Sequence, residues 1–172
     1  MSDFHPTDEQ NCVITSSRFA KSLVLAGAGT GKTETLVHRL ERLLEDEEIQ
    51  HGNILVLTFS RAAVRELRKR LHARENEARF VKARTFDSFG TLLLMNCPKA
   101  GDLTGKTYDE RIELASDFIL NDNDAKQRLR EVKYLIVDEM QDLVSLFTVL
   151  RTAKTGTSAV CLPESLTIRF RH

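Results

Sequence analysis

No apolar run in this 172-residue chain approaches the ~18 residues that a membrane-spanning helix needs. The longest runs, such as Ile54 to Leu57, are the length of a strand, so a membrane is not an expected partner. Met1 to Pro6 lack a basic segment followed by an apolar one, and no secretory signal is read there. Cysteine is scarce. Cys12, Cys97 and Cys161 are odd in number and far apart, which excludes a disulfide framework and a zinc knuckle. The five histidines are equally scattered, and a reduced, cytoplasmic setting is the expectation. Net charge is lacking too: 25 Lys+Arg balance 25 Asp+Glu, so the chain as a whole does not advertise a nucleic-acid binder.

What is present is an ordinary globular mixture. Hydrophobic residues make up 41% and charged residues 29%, enough apolar surface to exclude whole-chain disorder. The length predicts one domain, with at most a small appendage. The neutral total hides segregation. From Arg61 to Arg84 nine Lys and Arg face three acids, a local +6, whereas Glu41 to Glu48 hold five acids against Arg42. A basic run of this kind is usually a solvated helix face, with a phosphate-binding surface as the other reading.

Local patterning predicts alternating strands and helices. Thr7-Asp8-Glu9-Gln10 reads as a capping box that opens a short helix. A strand is expected over Leu23 to Ala26, then a glycine-rich turn. A helix follows with Leu36, Val37, Leu40, Leu43 and Leu44 on one face. Ile54 to Phe59 is a continuous apolar strand suited to a sheet covered on both faces. Ser60 caps a helix with Ala63, Val64, Leu67 and Leu71 inward and arginines outward. Phe80 to Arg84 is the next strand, and Thr85 caps a helix through Phe86, Phe89, Leu92 and Leu93. Cys97 to Gly105 is a loop. Helices are predicted over Asp109 to Leu120 and Asp124 to Glu131, with a strand over Tyr134 to Val137 and one more over Ala159 to Leu162. The expected fold is α/β, a three-layer parallel sheet with helices on both faces.

Two motifs carry chemistry. Ala26-Gly27-Ala28-Gly29-Thr30-Gly31-Lys32-Thr33 fits the phosphate loop G-x-x-x-x-G-K-[ST], with alanine at the first glycine position. Such a loop wraps a phosphate with backbone N–H groups. Lys32 reaches the β/γ-phosphates, Thr33 offers a hydroxyl to Mg²⁺, and the next helix points its N-terminus at the anion. Asp138-Glu139-Met140-Gln141-Asp142 follows the strand Tyr134 to Val137, at the strand end where α/β sheets bind ligands. Asp138 would serve the Mg²⁺ shell, and Glu139 would orient and deprotonate the attacking water.

With these motifs in order, the sequence resembles the N-terminal ATPase domain of UvrD/Rep-type superfamily 1 helicases. Thr7 to Gln10 looks like the Q motif, whose glutamine reads adenine; helix capping alone is the other reading of Gln10. Leu25 to Thr33 is similar to motif I, Leu57 to Ala63 to motif Ia, and Thr85 to Phe89 to motif Ib. Asp87 stands where the family commonly has histidine. Asp138 to Asp142 matches the D-E-x-Q-D form of motif II, which argues against a small-molecule kinase or signalling NTPase.

The resemblance implies a core resembling that of RecA, using ATP and Mg²⁺ while gripping single-stranded DNA, with RNA as an open alternative. Thr58, Ser60, Arg61 and Thr85 would meet backbone phosphates. Phe59 would offer a base its aromatic face, with Phe86 beside it in motif Ib. Phe59 and Phe89 read equally well as core residues. Gln141 would sense the γ-phosphate.

Two domain segments are expected: an ATP-binding domain over residues 1–150, with a helical insert near 96–131, and an atypical tail over 151–172. The family's next motif, a second motor lobe and its arginine fingers are not found. The expectation is therefore an incomplete motor needing that lobe or a partner protein. Its alternative is an inactive remnant that binds nucleotide or a partner.

Overall fold

The computed structural model describes residues 4–19, 24, 29–45, 49–95 and 101–138, except the side chains at 124 and 128. Apart from Val24, the strand expected over Leu23 to Ala26 lies outside the described residues, as do the strand expected over Ala159 to Leu162 and the tail over 151–172.

Three parallel strands form the described sheet: β1 (Ile54–Thr58), β2 (Lys82–Thr85) and β3 (Tyr134–Asp138), in the order β2-β1-β3. The central strand β1 is buried at all five positions, as its unbroken apolar run requires. Its side chains alternate between two cores. Ile54 and Val56 join Tyr134 and Ile136 on one face. There they meet Leu36, Val37, Leu40 and Leu43 of α2 (Lys32–Glu45) and Val64, Leu67 and Leu71 of α3 (Arg61–His72). Leu55 and Leu57 join Val137 on the other face, under Phe86, Phe89 and Leu93 of α4 (Phe86–Leu94). Ile112 and Ile119 of α5 (Tyr108–Asn121) and Leu129 of α6 (Asn123–Glu131) complete that layer. The result is the expected helix–sheet–helix sandwich. The helices of the segment near 96–131 supply much of its second layer.

Local chemistry sets the boundaries. Thr7, Ser60, Thr85 and Thr107 each accept a backbone N–H three residues on, and so start α1 (Asp8–Ile14), α3, α4 and α5. Such a cap is worth about 1 kcal/mol. Thr107 and Glu110 form a capping box, which is why α5 begins before the expected Asp109. The strand expected from Phe80 begins only at Lys82. Asn76 accepts the Ala78 N–H and winds Glu77–Phe80 into a 3-10 turn, leaving Phe80 exposed.

Arg39 is wholly buried on α2. Its Nε and Nη2 each donate to Tyr134 Oη at 3.1 Å, and its Nη1 donates to the Ile14 carbonyl at 3.0 Å. One guanidinium thus joins α1, α2 and β3. A cation at this depth is tolerated only because its donors are used.

Candidate nucleotide and strand sites

The first site lies where α2 begins. Gly29 and Gly31 both have φ of +76°, the left-handed region that glycine enters without a Cβ clash. Gly31 is further constrained: a Cβ there would sit 3.0 Å from Gln10 Nε2. The Gln10 amide braces the loop, its Nε2 donating to the Thr30 carbonyl at 2.8 Å while its Oε1 accepts the Thr7 N–H at 2.9 Å. Capping is therefore not the sole task of Gln10. Phe4 also approaches Gly31, and its ring stacks on His38 with centroids 4.6 Å apart.

Chain direction brings Lys32 and Thr33 to the same end of the sheet as Asp138. Arg39 meets Tyr134 at the start of β3, and the C-terminal end of α2 leads back toward the start of β1. Lys32 is seven residues, or about 10 Å, up the helix from Arg39. Asp138 is four residues, or about 13 Å, up the strand from Tyr134. Asp138 shares parity with Tyr134 and Ile136, so it points to the face that α2 covers. Ala26, Gly27, Ala28, Glu139 and Gln141 lie outside the described residues.

An ion-pair network that no local motif announces ties α2 to α3. Glu34, in the first turn of α2, accepts from Arg70 Nη1 at 2.7 Å and from Arg74 Nη2. Arg74 also approaches Glu41 at 3.4 Å, and Arg70 Nε pairs with Glu66 at 2.7 Å. Burial works to raise the Glu34 pKa, but the Arg70 hydrogen bond and the charges of Arg74, Arg70 and His38 together outweigh it and hold the carboxyl below its ordinary value. The Arg70 guanidinium is held above its own by its bonds to Glu66 and Glu34. The helical pairs Glu34–His38 and Glu66–Arg70 are legible as i,i+4 spacings. The bridges between helices are not.

The second site is a groove between α3 and the β2–α4 junction, bordered by Arg61, Arg65, Arg68, Arg84, Thr85 and Asp87. The arginines of the α3 stripe converge there with Arg84 of β2. Arg68 is committed in part to structure, donating to the Ala83 carbonyl at 2.7 Å. Ser60 and Thr85 are the caps of α3 and α4. Phe59 is 47% exposed beside Ser60, because β1 ends at Thr58 and its ring falls past the core.

Two expectations are corrected here. Phe86 is 1% exposed and packs among Leu55, Leu57 and Phe89, so its ring is withheld from any base. Thr58 is 2% exposed, and its hydroxyl is buried without a hydrogen-bond partner, out of reach of a strand on the surface. Phe89 is likewise a core residue.

Asp87, which stands at the family's usual histidine position, is held by Arg111 of α5. Nη2 and Nε of Arg111 reach its Oδ1 at 2.8 and 3.1 Å. Tyr108, the first residue of α5, has a buried hydroxyl with no partner. Burial, then the charges of Asp87 and Asp109, push its pKa above the ordinary value.

Comparison with known proteins gives a consistent picture. The family profile described as UvrD/REP helicase N-terminal domain matches residues 7–130. An ATP-dependent DNA helicase PcrA of Leuconostoc citreum is 34% identical over 109 residues, 62% of this chain and 13% of that protein. A probable DNA helicase II homolog of Rickettsia conorii is 29% identical over 141 residues, 78% of this chain and 21% of that protein. An ATP-dependent DNA helicase UvrD2 of Mycobacterium tuberculosis is 46% identical over 56 residues, 33% of this chain and 8% of that protein. The chain thus spans about a fifth or less of the length of these relatives. Among the described residues, no helix is long and apolar enough to cross a membrane.

Proposed function

This chain belongs to the UvrD/REP helicase N-terminal domain family, and from that premise we propose that it is an ATP-binding and ATP-hydrolysing motor lobe acting on single-stranded DNA. The observation that carries the reading is the shared end of the sheet. Lys32 and Thr33 open α2 where β3 ends at Asp138, and the arginine groove borders Thr85 in the same register layer. The names of the relatives, ATP-dependent DNA helicases, support it.

In this reading the backbone from Ala26 to Gly31 cradles the phosphates, and the left-handed glycines let its N–H groups converge. Lys32 neutralises the β/γ-phosphates. The Thr33 hydroxyl and the Asp138 carboxylate are hard oxygen donors of the kind Mg²⁺ prefers, and they would hold it. When bound, the metal neutralises charge developing on the transferred phosphoryl. Glu139 takes the proton of the attacking water, and Gln141 reads the γ-phosphate. Gln10 has one amide hydrogen and one Oε1 lone pair beyond its bonds to Thr30 and Thr7. It can therefore pair with the adenine edge without releasing the loop. On the groove side, Ser60, Arg61, Arg65, Arg84 and Thr85 contact phosphates and Phe59 supports a base.

Single-turnover hydrolysis by the whole chain, with and without single-stranded DNA, is the test. Lys32→Ala is expected to lose nucleotide binding. Glu139→Gln should bind and not turn over; unchanged hydrolysis in that variant rejects Glu139 as the base. Nucleotide binding with no turnover, whether or not DNA is present, would replace the motor reading with that of a binding module. DNA-stimulated hydrolysis eliminates the binding module.

A further inference from the structure

The groove contains an element that a phosphate-binding surface alone does not explain. Its border carries four arginines and one carboxylate, Asp87, on the first turn of α4. An uncompensated acid there would oppose a polyanion. Arg111 reaches Asp87 from α5 and is not itself part of the groove border. Its guanidinium is fixed by a third bond, Nη1 to the Lys106 carbonyl at 3.0 Å. The two side chains are 26% and 27% exposed. Pairs this wet add little to stability, so the main consequence of the arrangement is on the local field.

We propose that Arg111 is a positioning residue of the strand groove: by holding Asp87 from behind, it cancels the one acidic charge in the groove border and makes strand grip depend on the α4–α5 contact. The proposal rests on reading the groove as the DNA surface. The positive end of the α4 dipole adds to the compensation but leaves most of the carboxylate charge to Arg111. Breaking the pair from the two sides must then have opposite effects.

The experiment is fluorescence anisotropy of a labelled oligothymidylate with the whole chain at low ionic strength. One unit charge some 7 Å from a phosphate across water changes affinity about threefold. Asp87→Asn should tighten binding by about that factor, and Arg111→Gln should weaken it comparably. The double variant Asp87→Asn/Arg111→Gln should return near the parent value, and all differences should shrink with added salt. A purely structural Arg111 would not be rescued by removing its partner.

Asp117→Asn, the same charge change on the exposed side of α5, should tighten binding less than Asp87→Asn; equal tightening overturns the proposal. If Arg111→Gln fails to fold, Asp87→Asn decides alone, with no tightening overturning the proposal. If Arg61→Ala/Arg84→Ala lowers affinity while the Asp87 and Arg111 variants do not move it, the groove reading stands and this inference falls. If Arg61→Ala/Arg84→Ala leaves binding unchanged, the groove reading itself fails and takes the inference with it.

Discussion

Glu34→Gln isolates the link between α2 and α3. Glu34 accepts from two arginines at once, and the amide keeps the shape of the side chain while removing its charge. Arg70 retains Glu66, and Arg74 retains its approach to Glu41, so neither cation is stranded. Hydrogen bonds to charged groups contribute about 1.5–3 kcal/mol each when well shielded. Glu34, Arg74 and Arg70 are 23%, 16% and 39% exposed, and solvent screening discounts the sum to about 1–2 kcal/mol. For a domain of this size that lowers Tm by roughly 2–8 °C.

The pH dependence makes the test specific. The folded pKa of Glu34 lies below its ordinary 4.5, so its stabilisation is complete above that value and is lost as pH falls through the lowered pKa. Protonated glutamate and glutamine are nearly equivalent acceptors, so the parent and variant melting curves, followed by circular dichroism, should differ at neutral pH and converge on acidification below 4.5. A gap that persists through the acid range, or no gap at neutral pH, would refute the assignment of an inter-helical charge link.

Other substitutions test separate parts of the structure. Tyr134→Phe removes the oxygen that accepts two Arg39 bonds in the core, and should cost about 1–3 kcal/mol in urea titrations. Gly31→Ala should impair binding of a fluorescent ATP analogue, because the new Cβ meets Gln10 Nε2 at 3.0 Å in a left-handed backbone; undiminished binding argues against the Gln10 brace. Phe59→Ala should leave the urea midpoint nearly unchanged yet weaken oligonucleotide binding by about 1–3 kcal/mol, the usual worth of one base stack. Phe86→Ala should instead destabilise the fold by about 3–5 kcal/mol, as a core phenylalanine does.

The Phe59 and Phe86 pair shows where local reading stops. Both are phenylalanines in motif-like segments, and their one-dimensional surroundings do not separate them. Phe59 follows the last paired residue of β1, so its ring lies beyond the sheet edge. Phe86 opens α4 and turns under it into the core shared with α5. Thr58, the last residue of β1, is buried where Thr85 and Asp138 flank it in register on the neighbouring strands.

What the residues alone determined are the short-range features: the buried central strand from its unbroken apolar run, the helices from their caps and inward stripes, and the loop ahead of Lys32 from its glycines. Each depends on neighbours a few positions away, where backbone geometry leaves little choice. Only the folded chain decided which charges meet. Glu34 with Arg70 and Arg74, Arg39 with Tyr134, and Asp87 with Arg111 are separated by 24 to 95 positions. Their contacts arise from how helices settle on the sheet, a balance of packing over the entire core to which no local pattern has access.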